Sequence, residues 1–318
     1  MSIKQPVAER DYYSDPRRRA KSLAVRMASR LARPLGVDVE LRHWYSPVPQ
    51  LDEIDESFWN RPDPMCGVRP FDTAAMLEYA EAELADSISE FGPPREWSGH
   101  SNEFFLDNGL FQGVDADVLY AMVRRYRPSR VIELGAGFST LVTSMAAEAN
   151  RAEGHMTALI SCDPYAVAPL PGEVPGLAEL RPIRAQDFPF EEVEALQAND
   201  ILFIDSSHTV RIGGDVTFIF NELIPRLAPG VLVHIHDVFL PWPYPREWIA
   251  RNRWYWSEQY LLQSFLTFNE RYEVLWASYA VHRQQPIPLG RLIPNYRATA
   301  APLSLWMRSI EPDVDRPT

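Results

Sequence analysis

Beyond residue 130 the chain alternates between short apolar runs and longer stretches whose apolar residues recur at helical spacing. The runs are Val131-Ile132 closing on Glu133, then Ala158–Cys162, Leu180–Arg184, Ile201–Ile204 and Val231–Ile235, with Tyr272–Ala277 and Leu303–Arg308 as two further strands. Short runs rich in Val, Ile and Leu, largely without polar alternation, fit strands covered on both faces. Helical patterns separate most of them, notably Val193–Ala198 and Val216–Leu227. That succession predicts a parallel α/β sheet with helices on both faces. Upstream, periodicity and good helix formers predict helices over Pro16–Leu35, residues 71–90 and Val114–Tyr126.

The first strand runs into the most informative stretch, Arg130-Val-Ile-Glu-Leu-Gly-Ala-Gly-Phe-Ser-Thr140. Gly135 and Gly137 form a Gly-X-Gly turn, and a helix-compatible run starts at Ser139. Glycines there let the backbone approach a ligand without Cβ clashes, and the helix start offers free N–H groups. A dinucleotide fingerprint wants a third glycine three positions after the second, and Thr140 stands in that place. The carboxylate of Glu133 would repel a pyrophosphate, but it could pair with the cationic amino-acid end of S-adenosylmethionine (SAM). At Asp163, closing the second strand, an acid suits the hydroxyls of a ribose, because each carboxylate oxygen can accept an O–H bond.

With these motifs the chain resembles the class I SAM-dependent methyltransferases, whose first motif is an acid followed by Gly-X-Gly-X-Ser/Gly. The resemblance implies a Rossmann-like, seven-stranded, mostly parallel sheet, here with an N-terminal helical extension. It implies SAM held by Glu133, Gly135, Gly137, Ser139 and Asp163, with Gln186 and Asp187 after the third strand reaching the adenine.

A second cluster follows from strand-end chemistry. Asp205 closes the fourth strand, His208 lies three residues on, and the fifth strand ends His234-Ile-His236-Asp237. Alternation puts His234 and His236 on one face. Ligands of open α/β sheets gather at such carboxyl ends. Two chemistries are open here. Oxygen ligands from Asp205 and Asp237 could hold a divalent cation, Mg²⁺ or Mn²⁺, that orients and acidifies a substrate hydroxyl. Alternatively, His208 could act as general base with the aspartates orienting it. Asp-X-X-His and an acidic residue after the fifth strand are similar to the metal-dependent small-molecule O-methyltransferases of the macrolide-sugar and cephalosporin type and, more distantly, catechol O-methyltransferase. That branch often carries two adjacent acids after the fifth strand. Here His236 replaces the first, giving a metal set of Asp205, His236 and Asp237 and favouring Mn²⁺, Fe²⁺ or Zn²⁺ over Mg²⁺.

Composition narrows the partners. The 318 residues carry a formal net charge of −12, which argues against a nucleic-acid-binding body. Two cysteines, Cys66 and Cys162, form no disulfide framework, and no apolar stretch is long enough for a membrane span. The start of the chain lacks an apolar signal core, so a cytoplasmic location is expected. The expected organisation is a basic arm over residues 1–65, a helical cap over 66–112 and a SAM-binding domain over 113–318. Within that domain a proline- and aromatic-rich lid spans 238–258, where Trp242 or Tyr244 could stack on a flat or sugar-like acceptor. Trp97, His100 and Asn102 precede the core and could cover the cofactor. A homo-oligomer in which the arm swaps between subunits stays open. The leading expectation is a methyltransferase acting on a hydroxyl of a small molecule, with Asp205, His208 and Asp237 carrying the chemistry. An inactive SAM-fold scaffold and an NAD-linked oxidoreductase are the alternatives.

Overall fold

The computed structural model describes residues 16–39, 41, 45–100, 102–165 and 174–311. The chain divides into two compact units, Met1–Ile54 and Asp55–Thr318, a division that falls earlier than the expected boundary at residue 65. In the first unit, helix α1 (Pro16–Ala32) continues into a single 3-10 turn over Arg33–Leu35. Gly36 then reverses the chain at φ 71°, a conformation glycine adopts without Cβ strain. Leu23, Met27 and Leu31 on α1 are exposed.

The second unit is built on one sheet that contains, among the described residues, seven strands in the order β3-β2-β1-β4-β5-β7-β6. The strands are β1 (Arg130–Leu134), β2 (Ala158–Cys162), β3 (Leu177–Arg181), β4 (Ile201–Ile204), β5 (Leu232–Ile235), β6 (Tyr272–Ala277) and β7 (Leu305–Ser309). β1 to β5 pair in parallel, whereas β7 enters antiparallel between β5 and β6. The strand order reverses at β1 and β4, so the crevice above their carboxyl ends is where a ligand of this architecture binds.

The third strand lies three residues earlier than its apolar run predicts, at Leu177–Arg181 rather than Leu180–Arg184. Pro182 explains the shift, because a proline offers no N–H to a ladder and ends pairing on this edge strand. The stretch 71–90 forms two helices, α2 (Thr73–Glu83) and α3 (Ala85–Glu90). Helix α4 (Val114–Tyr126) leads into β1, and α5 (Phe138–Ala152) follows the glycine turn. Shorter helices are α6 (Phe190–Glu194), α7 (Asp215–Phe218), α8 (Arg246–Ala250), α9 (Glu258–Leu266), α10 (Ser278–Gln284) and α11 (Pro286–Leu292). The backbone continues from α7 through a π turn and a 3-10 turn as far as Arg226, close to the helical stretch expected up to Leu227.

The central strands are sealed on both faces: Ile132, Ile201, Leu202, Phe203, Ile204, Leu232, Val233 and Ile235 are all at 0% exposure. At roughly 25 cal/mol per Å² of apolar surface, such burial is what holds the strand tips rigidly enough to carry a site. His234 belongs to this core. Its ring stacks on Phe203 at 3.9 Å, and Nε2 meets Ser304 Oγ at 2.9 Å. Burial keeps its pKa well below the usual histidine range, so it is a neutral packing residue.

Candidate active site

Two strand-to-helix turns build the site. In the first, β1 ends at Leu134 and the chain turns through Gly135, Ala136 and Gly137 into α5. Gly135 has φ 102°, and a Cβ there would run into the backbone carbonyl oxygen of Asp205. The glycine turn and the tip of β4 are therefore in direct backbone contact, with the Asp205 N–H donating to the Leu134 carbonyl at 2.8 Å. Gly137 is different. Its backbone is extended (φ −174°), and a Cβ there would meet nothing within 4 Å. The space over Gly137 belongs to a cavity of about 700 Å³, which Ala136, Phe138 and Ser139 also line.

Glu133 lies beneath this turn, only 1% exposed. Its carboxylate accepts bonds from Ser139 Oγ and Thr140 Oγ1, both at 2.6 Å, and from Ser161 Oγ. The direct ion pair with a cationic ligand expected from the sequence is thus replaced by a buried brace that ties β1, β2 and the start of α5 together. Burial outweighs the three hydroxyls and pushes its pKa up to about 7. A carboxyl whose folded pKa lies above its unfolded value stabilises the fold below the unfolded pKa of 4.5 and loses that contribution as pH rises through about 7. The expected loss is roughly 2–4 kcal/mol, at about 1.4 kcal/mol per pKa unit. Glu133→Gln should therefore flatten the fall in melting temperature between pH 5 and 7.5. An unchanged slope in the variant would contradict the buried, protonatable brace.

Asp163 is half-buried at the end of β2. Its Oδ2 accepts from the Ala136 N–H at 3.2 Å and its Oδ1 from the Tyr165 N–H at 2.7 Å. It is thus joined to the glycine turn while part of its carboxylate faces solvent. Gln186 and Asp187 sit on a 3-10 turn and do not line the cavity. Gln186 Nε2 donates to the Gly213 carbonyl at 3.1 Å, and the exposed Asp187 is paired with Arg184 at 2.8 and 2.9 Å.

The second turn brings the acid and histidine residues together. His208 Nε2 lies 3.2 Å from Asp205 Oδ1 and 3.3 Å from Asp237 Oδ2, and these three residues form a group able to hold a metal ion. His236 stands slightly back: its Nδ1 is 3.8 Å from Asp205 Oδ1 and 3.6 Å from Asp237 Oδ2, while its Nε2 is 3.8 Å from Asp115 Oδ2. Of the expected set of Asp205, His236 and Asp237, the histidine stands farther from the two carboxylates than His208 does. The φ values of His208 (55°) and Asp237 (58°) are unusual for non-glycine residues and mark both loops as locally strained. Burial opposes a charge on His208, but Asp205 and Glu258 outweigh it and push the pKa up to about 10. Conversely, the imidazoles hold Asp205 down at about 2, against the cost of desolvating its charge. Without a bound cation, the charged imidazolium of His208 balances the Asp205 carboxylate.

The cavity runs from Gly137 to Asp205, His236 and Asp237, so the glycine turn and the acid cluster share one space. Its far wall is aromatic. Trp254 and Trp256 stack at 5.2 Å with an 8° interplanar angle, and Trp248 stands edge-on to both. Trp242 and Tyr244, the stacking residues expected from the sequence, are instead buried at 8% and 2% and do not line the cavity. Sequence reasoning also missed Asp115 on α4, the segment Ala300–Leu303, and Glu258, whose Oε2 meets His208 Nδ1 at 2.9 Å. Trp97 and His100 do not line the cavity either; Leu106 and Asp107 from the same region do.

Residues 132–238 match the family described as a methyltransferase domain. That stretch of the chain is similar to a methyltransferase domain. The domain match runs from β1 through the loop after β5 and so contains both turns of the site. An uncharacterized protein of Archaeoglobus fulgidus is 28% identical over 128 residues, 38% of this chain, and the match spans a little over half (57%) of that relative's length. Among solved structures, the apo form of CmcI is similar at 15% identity over 71% of this chain and 84% of its own, with a TM-score of 0.40. The plantazolicin methyltransferase BpumL is similar at 11% identity over 75% and 96%, with a TM-score of 0.38. These superpositions are too loose to transfer any residue role.

Proposed function

We propose that the whole protein transfers a methyl group from SAM to a hydroxyl of a small molecule, with a divalent cation at the Asp205–His208–Asp237 cluster. The observation that supports this reading is the single cavity lined both by the glycine turn and by Asp205, His236 and Asp237. SAM fits the turn: Gly137 leaves open space where any side chain would stand, Phe138 and Ser139 at the start of α5 line the same cavity, and Asp163 is hydrogen-bonded to the Ala136 N–H of the turn. A divalent cation fits the cluster as well. Bonds of about 2.1–2.2 Å put neighbouring ligands of a six-coordinate ion about 3 Å apart, near the 3.2 and 3.3 Å separations here. His236 Nδ1, buried and without a hydrogen-bond partner among the described residues, faces the same oxygens.

SAM supplies an electrophilic methyl group, and a bound cation lowers the pKa of the acceptor hydroxyl. The chain's own residues do the rest. The backbone contact between the Gly135 turn and Asp205 fixes the donor site against the acceptor site, so that much of the rate gain comes from positioning. Trp248, Trp254 and Trp256 form a flat apolar wall that orients a planar or ring-shaped acceptor and excludes water. The proton released as hydroxyl and sulfonium become methyl ether and thioether would leave to a carboxylate oxygen of Asp205 or Asp237 that does not hold the cation.

The test is transfer of a labelled methyl group from SAM into a panel of small hydroxylated acceptors, with Mn²⁺ or Mg²⁺ added after chelation. Product should form and fall to background with chelator, and Mn²⁺ should restore it at lower concentration than Mg²⁺, because imidazole favours the softer ion. Transfer that is indifferent to chelation would leave methyl transfer standing and remove the cation.

A further inference from the structure

Glu258 and Gln259 are adjacent polar residues at the start of α9, and they are as buried as core leucines, at 1% and 0% exposure. Burying a carboxylate is costly unless it is paired and hydrogen-bonded, and each of these side chains spends its polar atoms on one of the two site loops. Glu258 Oε2 meets His208 Nδ1 at 2.9 Å, and its Oε1 accepts from Ser206 Oγ at 3.0 Å. The backbone N–H groups of Ser257 and Glu258 both donate to the His208 carbonyl, at 2.8 and 3.0 Å, and hold that residue in its positive-φ conformation. The Trp256 ring covers the imidazole, with centroids 4.2 Å apart. Gln259 does the same for the other loop: its Oε1 accepts from the Phe239 N–H at 2.9 Å and its Nε2 donates to the Trp242 carbonyl at 3.1 Å. One helix start therefore grips both the loop after β4 and the loop after β5.

We infer that Glu258 is a positioning residue that presents His208 Nε2 as a nitrogen ligand to the cation, while Gln259 holds the Asp237 loop at the matching distance. The inference rests on the cation reading above. A neutral imidazole carries one proton; when Nδ1 donates to Glu258, Nε2 is left with its lone pair pointing to the opposite side of the ring. That side is where Asp205 Oδ1 and Asp237 Oδ2 lie. A carboxylate behind a ligating histidine fixes both the ring and its tautomer, and removing one commonly costs 10–100-fold in metal affinity. Ser206, bonded to the other carboxylate oxygen, keeps Glu258 from turning away.

The experiment uses the full chain with SAM present and Mn²⁺ alone as the probe. Electron paramagnetic resonance measures affinity, and electron spin echo modulation detects a directly bound nitrogen. The wild type should hold one Mn²⁺ with nitrogen modulation. Glu258→Gln should bind it 10–100-fold more weakly, with the modulation reduced, while its affinity for SAM changes less than threefold. That pattern separates positioning from general loss of structure. If Glu258→Gln lacks a cooperative melt, Glu258→Asp carries the same test, since a shorter carboxylate keeps the charge and withdraws from Nδ1. Equal affinity and equal modulation in the variant would overturn the inference and leave the cation reading intact. A wild type that binds Mn²⁺ without nitrogen modulation would also overturn it, and a wild type that binds no Mn²⁺ would overturn both.

Discussion

Gly135→Ala should cost the protein both stability and SAM binding, whereas Gly137→Ala should cost it SAM binding alone. At Gly135 two penalties combine. The backbone lies at φ 102°, where an L side chain is strained, and the added Cβ meets the carbonyl oxygen of Asp205. The strain is worth about 1–2 kcal/mol and the overpacking about 1–3 kcal/mol. For a unit of this size each kcal/mol lowers the melting temperature by about 2–4 °C, so a fall of roughly 5–15 °C is expected. Relief of the clash pushes β1 and β4 apart, and with them the donor turn and Asp205. At Gly137 the backbone is extended and the Cβ has no protein neighbour within 4 Å, so stability should change by no more than about 0.5 kcal/mol. The methyl instead stands in the cavity, and SAM affinity should fall by about tenfold or more. Thermal melts and calorimetric titration of both variants check this. A Gly135→Ala protein that melts and binds like the wild type would contradict the backbone contact on which the geometry depends.

The second large effect is expected at the acid cluster. Asp237→Asn removes one charge from the Asp205–His208–Asp237 group while keeping its shape. His208→Ala removes the nitrogen that lies 3.2 and 3.3 Å from the two carboxylates. Losing a group that positions and deprotonates the acceptor typically costs about 10²–10⁴-fold in rate. Each variant should therefore lose methyl transfer by that factor while holding SAM within about threefold of wild type, since neither residue borders the glycine turn. Measuring transfer and SAM affinity on the same preparations separates the two halves of the cavity. Equal loss of SAM binding would mean that the cluster serves the donor, and undiminished transfer would identify the cluster as structural.

How much of this is legible in the sequence follows from which contacts are local. The turn Leu134-Gly-Ala-Gly137 and the strand-end residues Asp205, Asp237 and His208 are read directly, because strand tips of a parallel sheet gather at one edge whatever happens elsewhere. The role of Glu133 is not, because its partners Ser139, Thr140 and Ser161 turn a visible acid into a buried brace only once β2 and α5 are packed. Choosing between His208 and His236 as the nearer nitrogen depends on a positive φ and on a carboxylate fifty positions downstream, neither of which has a local signal. The cavity wall fails to emerge for a similar reason. Within one aromatic-rich loop, Trp242 and Tyr244 go to the core, while Trp248, Trp254 and Trp256 face the cavity. The hydrogen bonds of Gln259 to that loop hold this arrangement in place.

The central claim is that SAM docks above the glycine turn, in the cavity that Asp205, His236 and Asp237 also line. Calorimetric titration of the full chain with SAM, repeated with Gly137→Ala, tests it most directly. One site per chain is predicted, with a dissociation constant in the micromolar range and a clear loss of affinity in the variant. Absence of heat up to millimolar SAM, or identical binding by Gly137→Ala, would contradict it.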